Sequence, residues 1–264
     1  SIIHQVEIWN WDFGHEFNLP EAGNYELVIS AFLVDFPNSE LQNTLLERTL
    51  HINVEEPEEI FFSDPNLDQV VREYIGKNSG EPIYANEVLD IENFHAEWRS
   101  ISNISGIEHL SNLRFLYINE NNISDISPLA SLNKLEYLNI ETNNILDISP
   151  LSAIYSLTGL SMGNNPIEDF SPIESLSSLQ SLAIILLSLT DADIGFLENL
   201  PQLTELWISR NSITDLSPIQ GMVNLGSLFA YDNKISNISP LANMAQLSYL
   251  GIWNNRINDL SPIS

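Results

Sequence analysis

LRFLYINENNISDISPLASLNK (Leu113–Lys134) runs directly into LEYLNIETNNILDISPLSAIYS (Leu135–Ser156) and LTGLSMGNNPIEDFSPIESLSS (Leu157–Ser178). Each block is a 22-residue unit with apolar residues at positions 1, 4, 6, 11, 14, 17 and 20, Asn at 9 and Pro at 16. Working outward, LTELWISRNSITDLSPIQGMVN, LGSLFAYDNKISNISPLANMAQ and LSYLGIWNNRINDLSPIS repeat the pattern toward the C-terminus. Two units depart from it. LQSLAIILLSLTDADIGFLENLPQ (179–202) has 24 residues, with Leu187 in place of the Asn and no Pro at the turn, and 91–112 is a degenerate first unit. Six units of 22, one of 24 and one of 18 tile residues 91–264. A fixed period of this length marks a solenoid, in which no unit buries its apolar face alone.

The spacing is that of a leucine-rich repeat. L-x-x-L-x-L contains the period of two of a short strand with one buried face. Stacked units bring like strands about 4.8 Å apart in a parallel sheet. Asn121, Asn143, Asn165, Asn211, Asn233 and Asn255 close each strand, and an inward amide both donates and accepts, so this column serves as a structural ladder for the turning backbone. Pro128, Pro150, Pro172, Pro218, Pro240 and Pro262 suit the first turn of a 3₁₀ or short helical piece on the convex side. Asp125, Asp147, Asp169, Asp215 and Asp259 before them are read as turn chemistry. Single carboxylates one per unit fall short of the six oxygens that calcium takes, so no metal is expected. In the variant unit, Asp191 is expected to cap an α-helix reaching about Asn199, with the two extra residues absorbed on the convex side.

Before the repeats, residues 58–90 read as a helical cap. Asp64-Pro65 is a helix start, Leu67, Val70, Val71, Tyr74 and Ile75 form an apolar stripe, and Gly76 is the stop; a shorter helix is expected around Ala85–Leu89. A solenoid needs such a cap to cover its first unit. Residues 1–57 carry no echo of the repeat. Gln5–Trp11, Asn24–Val34 and Thr44–Val54 alternate as strands, separated by Pro20, Gly23, Pro37 and Asn38. Ala22-Gly23-Asn24-Tyr25-Glu26-Leu27 resembles the last strands of an immunoglobulin-like sandwich. Either this is part of such a domain or it is a small β extension packed on the cap, and both readings stand. Glu55 to Glu59 reads as a linker. The expected fold is an α/β leucine-rich-repeat solenoid with a parallel concave sheet, a helical N-terminal cap and a preceding all-β segment.

The chain carries 36 acidic and 9 basic residues, a net charge of −27. That balance disfavours nucleic acid, whose binders place Lys and Arg on phosphates, and anionic membrane surfaces. With no cysteine there are no disulfides or thiolate sites. The longest apolar run, Leu182–Leu187, is too short to span a bilayer. The chain starts at Ser1 without Met and stops within a unit, and is read as a piece of something longer.

No catalytic constellation stands out. His4, His15, His51, His95 and His109 are scattered, and neither a G-x-S-x-G elbow nor a glycine-rich phosphate loop is present. His95 and Glu97 share a strand face and are read as polar residues at the sheet edge rather than an acid–base pair. No cofactor is expected, and the chain is read as a non-enzyme. Binding is the stronger reading. Positions 3, 5 and 7 point out of the concave face. There Trp207 neighbours Phe229 and Tyr231 neighbours Trp253, with Tyr249 beside them and Gly251 expected to leave a hollow. Phe115, Tyr117 and Tyr137, with Trp98 nearby, form a second group. Between them lie Gly159, Ser161, Gly163, Ser181, Ala183 and Ile185. Glu205 and Arg210 are the polar rim. Grouped exposed aromatic residues are the raw material of interface hot spots, although cross-strand pairs also stabilise sheets for their own sake.

The N-x-I-x-D-I-S-P-L turns (Asn121–Leu129, Asn143–Leu151) and the cap segment FSDPNLDQVVREYIG leading to ISNISGIEHLSNL resemble the internalin-type bacterial leucine-rich-repeat proteins, over about residues 60–264. The resemblance implies an extracellular or cell-surface protein whose concave sheet binds a protein. Two departures qualify it. The β segment precedes the repeats instead of following them, and neither an anchor nor a C-terminal cap is visible. A carbohydrate-binding surface and a structural spacer in a larger adhesin are the other readings, and oligomeric state is left open.

Overall fold

The computed structural model describes residues 57–263 in full and, within 1–56, the backbone of three strands. The chain divides into two compact units, Ser1–Glu58 and Glu59–Ser264. In the first, β1 (Ile3–Ile8) pairs parallel with β2 (Gly23–Phe32), and β2 pairs antiparallel with β3 (Leu45–Val54). The outer ends of the expected strands, including Trp9–Trp11 and Leu33–Val34, lie outside the described residues, as do Glu55 and Glu56 of the linker.

The second unit opens with a two-stranded ribbon, β4 (Glu59–Ile60) against β5 (Ile83–Tyr84), enclosing helix α1 (Pro65–Ile75). Helix α1 starts where Asp64 Oδ1 accepts the N–H groups of Asn66 (2.9 Å) and Leu67 (3.4 Å). It ends at Gly76, whose φ of +70° is a left-handed turn that glycine adopts without a Cβ penalty. Leu67, Val70 and Val71 are buried in the same core as the repeats, so the helix covers the end of the solenoid. Asp64 also fastens it there. Its Oδ2 accepts the Ser102 N–H (2.8 Å), the Ser102 hydroxyl (3.0 Å) and the Asn103 N–H (3.2 Å) of the first unit. Burial raises the Asp64 pKa, but these donors outweigh it and hold the carboxyl below its ordinary value. The expected shorter helix is a single 3₁₀ turn, Ala85–Val88.

The repeats form one eight-stranded parallel sheet in chain order: β6 (Asn93–His95), β7 (Phe115–Tyr117), β8 (Tyr137–Asn139), β9 (Gly159–Ser161), β10 (Ser181–Ala183), β11 (Glu205–Trp207), β12 (Ser227–Phe229) and β13 (Tyr249–Gly251). Register is one unit per strand, with Leu116, Leu138, Leu160, Leu182, Leu206, Leu228 and Leu250 in line. From Leu116 to Leu228 these leucines are fully buried or within one per cent of it. The return side is a column of 3₁₀ turns, and the five Asp-x-Ser turns are closed alike: Ser N–H donates to the Asp two residues earlier at 2.8–2.9 Å.

The asparagine column stitches the units together. Asn143 accepts the Ile123 N–H of the previous unit (3.0 Å) through Oδ1, and its Nδ2 donates to Ile118 and Ile140 carbonyls (3.0 and 3.1 Å). Asn121, Asn165, Asn211, Asn233 and Asn255 bond in the same way. The residue before each Asn stands in the left-handed region, from Glu120 (φ +58°) to Asn254 (φ +55°). In the two units without the Asn, the corresponding Trp98 and Leu186 are joined by a second left-handed residue, Ser100 and Ser188. There the next Asn carries a double load. Asn121 Oδ1 accepts from Arg99 and Ile101, and Asn211 Oδ1 from Leu187 and Leu189.

The variant unit corrects one expectation. No α-helix follows Asp191; the return is a 3₁₀ turn, Gly195–Asn199, and the two extra residues are taken up in a Thr190–Asp193 turn closed by Asp193. Asp191 instead reaches into the next unit, accepting the N–H groups of Thr214 (2.7 Å) and Asp215 (3.0 Å). Phe196 occupies the proline position and stacks on Phe170 (5.1 Å between centroids), filling what the missing Pro would leave.

Candidate functional site

Because the leucines take the inner side of each strand, positions 3, 5 and 7 of successive units share the other face of the sheet. The aromatic residues there form two islands. In the C-terminal one, Trp207 of β11 stacks on Phe229 of β12 at 3.8 Å, and Tyr231 stacks on Trp253 at 4.2 Å, nearly parallel. Gly251 joins the two pairs instead of leaving a hollow. A Cβ there would lie 2.8 Å from Trp253 Cζ3 and 3.0 Å from Phe229 Cδ1, so both rings close over the glycine and the four form one apolar surface. Trp253 is 59% and Tyr249 67% exposed, whereas Trp207, Phe229 and Tyr231 are half-buried against one another.

In the N-terminal island Tyr117 tilts against Tyr137 at 5.2 Å. Tyr137 lies over Gly159, where a Cβ would come within 2.5 Å of its ring, and its hydroxyl sits 3.3 Å from Ser161 Oγ. Burial, then nearby negative groups, push the Tyr137 hydroxyl pKa up despite the Ser161 bond. Phe115 lies outside this stack, beneath the Arg114 guanidinium at 5.4 Å. Trp98 is 73% exposed and makes no ring contact among the described residues. His95 does belong to the island: its ring stacks on Tyr117 at 4.3 Å and 4°, while its Nδ1 meets Glu97 at 2.9 Å. Sequence reasoning left His95 as an edge residue, though its place opposite Tyr117 follows from aligning the degenerate first unit at position 5.

The polar residues complete the face. Glu205 accepts the Ser181 hydroxyl at 2.9 Å, and Arg210 stands 3.7 Å from Asp232. Glu141, which sequence reasoning also missed, is half-buried beside Glu120; burial first, and Glu120 second, raise its pKa. Ser209 departs from the outward pattern of its column. It is fully buried, and its hydroxyl has no hydrogen-bond partner. Ile185 leans across Gly163, where a Cβ would meet it at 2.6 Å. Among the described residues no His, Asp or Glu group could hold a metal ion, and no helix is long and apolar enough to cross a membrane.

Residues 111–153 match a family model described as Leucine Rich repeats (2 copies). Among solved structures, the chain is similar to internalin C2 of Listeria monocytogenes str. 4b F2365, at 33% identity and a TM-score of 0.72, over 77% of this chain and 89% of that one. It is similar as well to internalin F of the same strain, at 30% identity and a TM-score of 0.56, over 79% of this chain and 75% of that one. No curated protein matches.

Proposed function

Because the chain belongs to the internalin family of leucine-rich-repeat proteins, we propose that it is a non-enzymatic module of a bacterial surface or secreted protein that binds a protein partner through the open face of its sheet. Internalin-like leucine-rich-repeat proteins are generally protein-interaction modules. The observation that carries the reading for this chain is the four-ring surface of Trp207, Phe229, Tyr231 and Trp253. The core beneath it is already filled by fully buried leucines, so these rings add nothing to the interior. Large rigid aromatic surfaces left in water are what protein interfaces use as anchors. Tyr249 extends the surface and Arg210 with Glu205 rims it; Phe115, Tyr117 and Tyr137 offer a second contact area toward the cap.

The test compares capture from cell-surface and secreted extracts by the chain and by a Trp207→Ala/Trp253→Ala version. The stacked partners Phe229 and Tyr231 remain in place, and circular dichroism verifies the fold. A protein captured by the first and lost by the second supports the reading. Equal capture by both overturns it in favour of another surface. No protein captured, with a glycan array bound in a Trp207-dependent way, overturns it in favour of a sugar ligand.

A further inference from the structure

The open face is lopsided in charge, and the imbalance has a location. Its carboxylates at the outward positions are Glu97, Glu141 and Glu205, with Glu120 beside Glu141. Its basic groups are both engaged: His95 with Glu97, and Arg210 with Asp232. Neither Glu141 nor Glu205 has a cation within ion-pair distance among the described residues; Glu205 has only the Ser181 hydroxyl. Between these two carboxylates, which stand at positions 7 and 3 of their units, the strip is floored by Ser161, Ser181 and Ala183, with Ile185 leaning across Gly163 beside Glu141. Tyr137 forms one bank and Trp207 the other. From β8 to β11 is three strand spacings, about 14 Å, and Glu141 stands four positions further along its unit than Glu205 does along its own, so the two meet over the strip through their fields: both act on the Tyr137 hydroxyl.

Two carboxylates facing one strip, flanked by π faces, suit a single ligand chemistry. A lysine ammonium or arginine guanidinium set against the Tyr137 ring gains from the field of both carboxylates and from the ring face. A neutral group would cover both charges without compensating them, at the full desolvation cost. Resting on the reading of the open face as a binding surface, we propose that the partner is a protein that projects a lysine or arginine side chain into the strip between Tyr137 and Trp207, with Glu141 and Glu205 as its counter-charges. The aromatic island then supplies the apolar contact and the strip selects a basic partner. The burial that raises the Glu141 pKa is the same burial that strengthens its attraction for an arriving cation.

Random peptides displayed on phage and selected on the intact chain test this directly. Expected are binders enriched in Lys and Arg over the starting library, weakened about tenfold or more on Glu141→Gln/Glu205→Gln, which keeps the Ser181 hydrogen-bond acceptor and the side-chain shape. The same binders should weaken as NaCl rises from about 50 mM to about 500 mM, where screening shortens several-fold. That readout uses the unaltered chain and needs no variant to fold. Binders that depend on Trp207 and Trp253 but ignore the Gln pair and salt overturn the inference while leaving the open face as the binding surface. Binders indifferent to both pairs overturn both. A selection that enriches nothing on the chain over the Gln pair also overturns the inference.

Discussion

Units 135–156 and 179–202 face the same problem with different residues. Each must turn its chain off the sheet while buried backbone groups still find partners. The first does so with Asn143, one side chain whose oxygen serves the previous unit and whose nitrogen serves both that unit and its own. The second has Leu187 there. It compensates with a second left-handed residue, with Asn211 of the following unit accepting twice, and with Asp191 reaching forward to Thr214. Its inner residue is half-buried against the core where Asn143 is buried and fully bonded. The difference teaches that the variant unit fixes its own turn through the unit after it, whereas the asparagine of a regular unit also serves the unit before it.

The widest separation between the two units should come from Asn143→Ala, which strands the Ile123 N–H and the Ile118 and Ile140 carbonyls. At about 1–3 kcal/mol per buried unpaired group, it should cost about 4 kcal/mol in urea unfolding. Leu187→Ala in the variant unit removes only half-buried apolar surface and should cost about 1 kcal/mol. If the two variants unfold alike, the ladder is not carrying the regular units.

Asp64 is the cap's counterpart of Asp191, and it is 5% exposed where Asp191 lies open. Asp64→Ala should cost about 3 kcal/mol, the sum of a lost helix cap and buried donors left in the first unit. Its folded pKa lies below its unfolded one. The stability it confers is therefore complete above the ordinary carboxylate range and is lost as pH falls through the folded value, below about 4. Hydrogen exchange in α1 and at Ser102 should quicken in that window, and in Asp64→Asn the acid-dependent part should vanish.

An effect as small as that of Leu187→Ala has the opposite sign. Ser209→Ala removes a buried hydroxyl without a partner and should stabilise the chain by about 1 kcal/mol. A loss of stability on thermal unfolding would mean the hydroxyl is bonded after all.

How much of this is legible from residues alone follows from how far each partner lies along the chain. The Asp-x-Ser turns close over two residues and the leucine core repeats at fixed spacing, so both are readable in the units themselves. Asp191 is not, because its donors sit 23 and 24 residues ahead in a different unit, and a helix cap is the nearer guess for an Asp before an apolar run. The strand register puts Trp207 next to Phe229, but the lean of Trp253 across Gly251 is a rotamer matter that period cannot give. His95 and Glu141 are harder to read: a ring on a degenerate edge strand looks like an edge residue, and a lone carboxylate looks like any other exposed charge.

The asparagine ladder also has a meaning for ancestry. Consecutive regular units exchange the same bonds, as Ile123 does with Asn143 and Ile145 with Asn165, so within such a run a 22-residue block is an interchangeable part. Removing 135–156 in frame would place Asn165 against Ile123 with no new chemistry required, Phe115 against Gly159 and Tyr117 against Ser161. A lineage can thus lengthen, shorten or reshuffle the recognition face by unequal recombination without rebuilding the interior. The unit 179–202 is the exception, since Leu187 offers the unit before it no such amide and Asp191 takes the Thr214 hydroxyl of the unit after it.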